Sequence, residues 1–250
     1  MAKSVSLNPP QHGGWAFVGL PVVVGWTVGG FTLGTFLAGI AFVLSFPALY
    51  FVGAWLRYPK RERFVRPLAI WLGLTVVFGV AAIILAPRLL LWAPPYVVLG
   101  IVSLIAAKMK RDRELLNEVF QIVQCSMIVP TLATANERLS DRATIIATIW
   151  VALTLIGSIL TVRALIRKKN DPQFRKVAVW FAIVSLPVAI ATGAVVGWIP
   201  AVVVGIAFAF ALWRAIKVQP DSLKPGQLGM IELAFFILVW LATLSAILVS

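Results

Sequence analysis

The sequence predicts an all-α fold: a polytopic transmembrane helical bundle of nine spans, N-terminus in the cytoplasm and C-terminus outside. Three observations predict it. The chain is 61% hydrophobic and only 12% charged, whereas soluble domains average about half and about a quarter. Its apolar residues fall into runs of about 20, the length an α-helix needs to cross a hydrocarbon core about 30 Å thick. Its basic residues are confined to short segments between those runs, alternating with segments that carry almost none.

The runs lie at 13–30, 32–56, 67–86, 89–107, 118–135, 143–164, 177–194, 196–216 and 229–249. Backbone amides in hydrocarbon must be satisfied within their own segment. Uninterrupted runs of this length therefore read as helices, since barrel strands would alternate over about ten residues. The third and fourth runs are separated only by Pro87 and Arg88, and the seventh and eighth by about one residue near Val195, so both pairs read as tight hairpins. Residues 1–250 read as a single transmembrane domain, with no soluble domain, linker or low-complexity segment.

Lysine and arginine set the orientation. With nine spans, one side receives Lys3, RYPKRERFVR (57–66), KMKRDR (108–113), RALIRKKNDPQFRK (163–176), Arg214, Lys217 and Lys224. The other receives only Arg88, Arg138 and Arg142, so nineteen of the twenty-two basic residues share a side, which reads as the cytoplasm. The net charge of +13 does not read as nucleic-acid binding, because these clusters are not gathered on one soluble module. Cys125 is the single cysteine, which leaves no disulfide framework and no metal-ligand spacing; a lone thiol in an apolar run reads as a small core residue. The N-terminus has one lysine ahead of a glycine- and tryptophan-rich run and no small-residue cleavage site, so it does not read as a cleaved signal peptide.

Polar side chains next to hydrocarbon are costly and point to interior or functional positions. The fifth span opens RDRELLNEVFQIVQC, where Glu114, Glu118, Gln121 and Cys125 recur at helical spacing, with Asn117 and Gln124 beside them. This reads as a polar stripe entering the membrane from the cytoplasm next to Arg111; the alternative is an interfacial helix end whose carboxylates sit at the positive end of the helix dipole. In the last span Glu232 precedes an apolar run. It can pair with Arg214 or another base, stay partly protonated, or ligate a cation. Arg163 and Arg167, one turn apart, form an anion clamp or are ordinary snorkelling side chains. His12, the only histidine, stands ahead of the first span. With Gln11 and Trp15 it lines a headgroup pocket or serves as a structural helix-end group. Trp55, Trp92 and Trp198 read as interfacial anchors.

The segments PPQHGGWAF, RDRELLNEV and KPGQLGMIEL resemble the hallmark stretches of the YwiC-like family of bacterial membrane proteins, which carry QHGAW-like, RNERxLLND-like and IGxxE-like segments. The resemblance extends over essentially the whole chain. It implies a multi-pass protein of the bacterial plasma membrane and implies no activity. More distantly, nine helices, an opening with Pro10, Gly14 and Phe17, and Arg66–Pro67 closing the first basic loop resemble the UbiA-type intramembrane prenyltransferases. That superfamily holds an isoprenyl diphosphate through magnesium on aspartate-rich loops after the second and sixth spans. Here the first loop has Glu62 and no aspartate, and the second has Asp171 alone; Arg57, Lys60, Arg61, Arg163 and Arg167 occupy the corresponding places. Magnesium is therefore not favoured, no metal site is assigned, and the cofactor is left open.

Three function classes follow. The first is a protein that binds or modifies an isoprenoid or anionic lipid at the cytoplasmic mouth of the bundle. Its ligand-binding residues would be Gln11, His12, Trp15, Arg57, Arg111, Glu114, Asn117, Glu118, Gln121, Gln124, Arg163, Arg167 and Glu232. If it is catalytic, in the manner of a lipid or prenyl transferase, His12, Glu118 or Glu232 would transfer the proton. The second is a non-catalytic assembly subunit with a membrane protein partner. The third is a small ion-coupled transporter, for which Pro130 and Pro187 would break their helices, although no internal repeat is found.

Overall fold

The computed structural model describes residues 6–9, 12–59, 61–111, 114–168, 170–219 and 225–249, without the side chains of residues 12, 13 and 225. The described residues contain helices and no strand. Every predicted span is a helix. The chain divides into two compact units, Met1–Leu139 and Ser140–Ser250.

The first unit holds α1 (His12–Gly29), α2 (Leu33–Arg57), α3 (Glu62–Leu85), α4 (Ala93–Lys108) and α5 (Leu115–Ala135). The predicted two-residue break at Pro87 and Arg88 is a short 3-10 turn, Pro87–Trp92, that leads directly into α4. Helix α1 packs on α5 through glycine. A Cβ on Gly25 would lie 2.9 Å from the Leu132 side chain, and one on Gly29 would lie 2.8 Å from the backbone nitrogen of Ala133. Two glycines four residues apart let two backbones approach where lipid supplies no hydrophobic force to pull them together. Val22, Ile128 and Leu132 fill the seam, with Trp26 and Phe42 packed against it.

One end of this unit is tied by hydrogen bonds that satisfy helix termini. Gly30 turns the chain at φ +87. The Asn136 amide donates to the carbonyl of Gly29 at 2.7 Å. Thr32 and Thr35 form a reciprocal cap on α2, the Thr35 hydroxyl accepting from Thr32 N at 2.8 Å and Thr32 Oγ1 accepting from Thr35 N at 3.3 Å. Trp26 Nε1 donates to the Thr35 carbonyl at 2.8 Å, Trp92 Nε1 donates to Thr134 Oγ1 at 2.9 Å, and Arg88 pairs with Glu137. Trp92, expected as an interfacial anchor, is thus also a structural donor.

The second unit holds α6 (Arg142–Val162), α7 (Pro172–Val196), α8 (Trp198–Lys217) and α9 (Pro225–Val249). Helix α6 continues into a wider π turn, Arg163–Arg167, in which Lys168 N donates to the Arg163 carbonyl at 2.8 Å. Asp171 Oδ1 caps α7 by accepting from Phe174 N at 3.0 Å, with Pro172 as the first helical residue. Only Gly197 separates α7 from α8, two residues past the predicted break near Val195. The hairpin closes because a Cβ on Gly193 would lie 2.8 Å from the Cα of Ala201. Pro130 and Pro187 lie inside continuous helices. Neither proline breaks its helix, and around the first Thr131 and Thr134 donate to the carbonyls of Met127 and Pro130.

Eight of the described helical segments are long and apolar enough to cross a membrane, and Gly14–Gly29 is a shorter apolar helix. This is a multi-span integral membrane protein.

A buried arginine–glutamate node in the second unit

The end of the second unit that gathers the α6 terminus, the start of α7, the end of α8 and the start of α9 contains a charged node. Arg214 stands in the last turn of α8 and is 1% exposed, and Glu232 stands two turns into α9 and is 8% exposed. Arg214 Nη1 lies 2.5 Å from Glu232 Oε2. Of the three fates open to Glu232 from sequence, pairing with Arg214 is the one the geometry adopts.

The node is completed by α6 and by an aromatic ring. Arg214 Nη2 donates to Thr161 Oγ1 at 3.5 Å, and the buried Ser158 hydroxyl stands beside the Glu232 carboxylate. Phe235, one turn beyond Glu232, places its ring 4.9 Å from Arg214 Cζ. Among the described residues Arg214 Nε and Nη1 and both Glu232 carboxylate oxygens lack a hydrogen bond of good geometry, so the pair is held by charge at close range. Buried charges are tolerated only when paired and hydrogen-bonded, so the node joins α8 to α9 by charge and to α6 by hydroxyls. Arg214 was legible only as a partner option, and Ser158 and Thr161 were not singled out. Their signal is the spacing Thr154, Ser158, Thr161, which places three hydroxyls along one face of α6, all buried.

The same end is strongly basic. Arg163, Arg167, Lys168, Arg175, Lys176, Arg214 and Lys217 stand there among the described residues, against Asp171 and Glu232. Both carboxylates already have cationic partners, Arg214 for Glu232 and Lys168 at 3.8 Å for Asp171. Arg175 ties α7 to the end of α8 by donating to the Ile216 carbonyl at 3.0 Å and to Gln219 Oε1 at 2.5 Å. Arg163 is half-buried over the Phe174 ring, 5.8 Å away, and Arg167 is exposed.

The other sequence-derived candidates lie in the first unit and do not form one cluster. Glu114 is the N-cap residue of α5, exposed, and pairs with Arg111 Nε at 3.2 Å. Asn117 is buried, Glu118 and Gln124 are half-buried, and Gln121 is exposed. The expected stripe therefore splits, because the buried arc of α5 carries Asn117, Ile122, Cys125, Ser126, Ile128 and Val129. Gln124 faces α4, its Nε2 4.0 Å from where a Cβ on Gly100 would be. Tyr96 and Thr131 share a hydrogen bond of 3.3 Å on the same α4–α5 seam. Trp15 packs edge-on against Phe46 at 5.4 Å and tilts against Trp71 at 6.1 Å. Gln11 lies outside the described residues, as do Lys3, Lys60 and Lys224, and His12 is described only as the first residue of α1. Among the described residues no three His, Cys, Asp or Glu side chains gather as metal ligands would.

The chain is similar over 181 residues, at 25% identity, to a Haemophilus influenzae protein whose name reads "Uncharacterized protein", with 68% of this chain and 73% of the relative covered. No solved structure matches. The sequence profile described as YwiC-like protein matches residues 8–133, half of the chain. The chain belongs to the YwiC-like family.

Proposed function

We propose that the protein binds a lipid with an anionic, phosphate-bearing headgroup at the basic end of its second unit, in the bacterial plasma membrane with that end in the cytoplasm. The observation that carries this reading is the charge imbalance at that end: among the described residues, seven cations against two carboxylates that already have cationic partners. Several guanidinium groups held at the boundary of hydrocarbon suit a phosphate, which accepts two parallel N–H bonds from each. The node supports the reading in a second way. By holding Glu232 on Arg214 it fixes the ends of α8 and α9 beneath the cation-rich rim. The UbiA-type resemblance points the same way, toward an isoprenoid or other lipid, while Asp171 serves here as a helix cap.

Native mass spectrometry of the purified full-length protein, beside Arg163→Ala/Arg167→Ala, tests this. One phosphate-bearing lipid retained per chain and lost in the variant is the expected result. Equal retention in both forms, or none in either, overturns the reading.

A second reading, a subunit of a larger membrane assembly, is favoured by one observation. The spanning windows of α3 and α4 are each only 6% buried within the chain, with Val76, Val77, Val80 and Ile84 exposed along α3. A photo-crosslinker at Val77 captures a second polypeptide on this reading and only lipid on the first.

A further inference from the structure

The turn between α2 and α3 carries a feature that the described residues of the second unit do not share: three guanidinium groups laid on a platform of aromatic rings. Arg61 Cζ lies 5.1 Å from the Trp55 ring centroid. Arg63 lies 4.6 Å from Phe64 and 5.4 Å from Tyr58, and Arg57 lies 5.8 Å from Tyr58. Tyr58 and Phe64 stack on each other at 5.6 Å. The platform is anchored in the fold, because Phe64 is 5% exposed in a cluster with Phe51 and Ala54, against which Trp55, Leu68 and Trp71 pack.

We propose that this turn is a docking surface for anionic phospholipids of the surrounding bilayer. Three arguments combine. The surface lies between two spans, α2 ending at Arg57 and α3 starting at Glu62, so it sits where headgroups begin. Its charge is one-sided, with Arg57, Lys60, Arg61, Arg63 and Arg66 in sequence against Glu62 alone. Arg61 and Arg63 are exposed side chains held over rings. Stacking engages the flat face of a guanidinium and leaves its N–H fork for a phosphodiester, and a side chain already held in place gives up less rotamer entropy on binding. Indole and phenol rings at this depth are themselves stabilised in the headgroup layer. The occupant is a bilayer phosphodiester rather than a soluble phosphate because only the former lies within the layer where the turn stands. This surface belongs to the first unit and does not depend on the reading given for the second.

The test uses the full chain in zwitterionic micelles, titrated with phosphatidylglycerol and with phosphatidylcholine and followed by native mass spectrometry. The wild type is expected to prefer phosphatidylglycerol. Arg61→Ala/Arg63→Ala is expected to lose about thirtyfold in apparent affinity, as two basic side chains at an anionic surface imply. Arg61→Lys/Arg63→Lys keeps the charge and is expected to lose only part of that preference. It also serves as the decisive variant should the alanine form fail to fold. Repeated in an Arg163→Ala/Arg167→Ala background, which removes the binding proposed for the second unit, the titration is expected to show the same dependence on Arg61 and Arg63, so failure here and failure of the second-unit reading are separable. Equal binding of both lipids, an Arg61→Ala/Arg63→Ala variant with wild-type preference, a lysine variant indistinguishable from wild type in a chain whose alanine form does not fold, or full displacement of the lipid by millimolar inorganic phosphate each overturns the proposal.

Discussion

Replacing Glu232 with leucine strands a guanidinium that is 1% exposed. What remains to it is a hydrogen bond to Thr161 Oγ1 at 3.5 Å, the outer limit of such a bond, and the Phe235 ring at 4.9 Å, a contact of about 0.5–2 kcal/mol. Against this stands the attraction removed. At the 2.5 Å separation of Nη1 and Oε2 and an effective dielectric constant of about 20, that is roughly 6–7 kcal/mol before desolvation is offset. Breaking a buried pair by removing one partner costs about 3–5 kcal/mol, whereas replacing both partners with apolar residues of similar volume is close to neutral. Glu232→Leu and Arg214→Met are each expected to lose about 3–5 kcal/mol, and the double variant to lie within about 1–2 kcal/mol of wild type. The assay is SDS-titrated unfolding in mixed micelles, read by the fluorescence of the ten tryptophans. A double variant whose loss equals the sum of the two single losses would refute the reasoning, since it would show that the two charges do not stabilise each other.

Gly29→Val drives a side chain into the backbone of α5, 2.8 Å from Ala133 N, and is expected to cost at least about 1–3 kcal/mol; Gly19→Ala, with nothing within 4 Å, is expected to leave Tm unchanged or raised. Asp171→Ala removes the cap on Phe174 N and is expected to cost about 1 kcal/mol. The same SDS titration measures it, and Lys168→Ala, which removes only the 3.8 Å surface pair, is expected to cost less than about 1 kcal/mol. Orientation is checked with single cysteines in a Cys125→Ala background. An impermeant maleimide is expected to label Leu139→Cys in intact cells and Lys217→Cys only after permeabilisation, and the reverse pattern overturns the assignment of the basic end to the cytoplasm.

The helices were legible because length and apolarity alone decide whether a segment can span a membrane. Their ends were legible to within a few residues, and where they moved the cause is local. Asp171 with Pro172 starts α7 five residues before the apolar run at 177, because a cap stabilises helix in the headgroup layer as well as in hydrocarbon. The faces were less legible. In a soluble helix the apolar arc marks the core, but here both lipid and core are apolar, so α5 could be phased only by its polar residues. That phase put Gln121 with Asn117, and the fold separates them, with Gln121 exposed and Ile122 buried.

The node marks where sequence reasoning ends and why. Depth along a helix is a one-dimensional property, and it identified Glu232 correctly as a carboxylate in the span. Pairing is a property of two helices. Arg214, three residues before α8 ends at Lys217, reads in isolation as one more basic residue of a positively charged loop. Its burial follows from Glu232, Ser158 and Thr161 arriving from two other helices to compensate it, and no one of those residues would hold a charge in hydrocarbon alone. A network whose members are each costly without the others must form with the packing of α6, α8 and α9 rather than before it. Disturbance at Arg214 should therefore loosen all three helix ends together, at the end of the unit where the surplus cations stand.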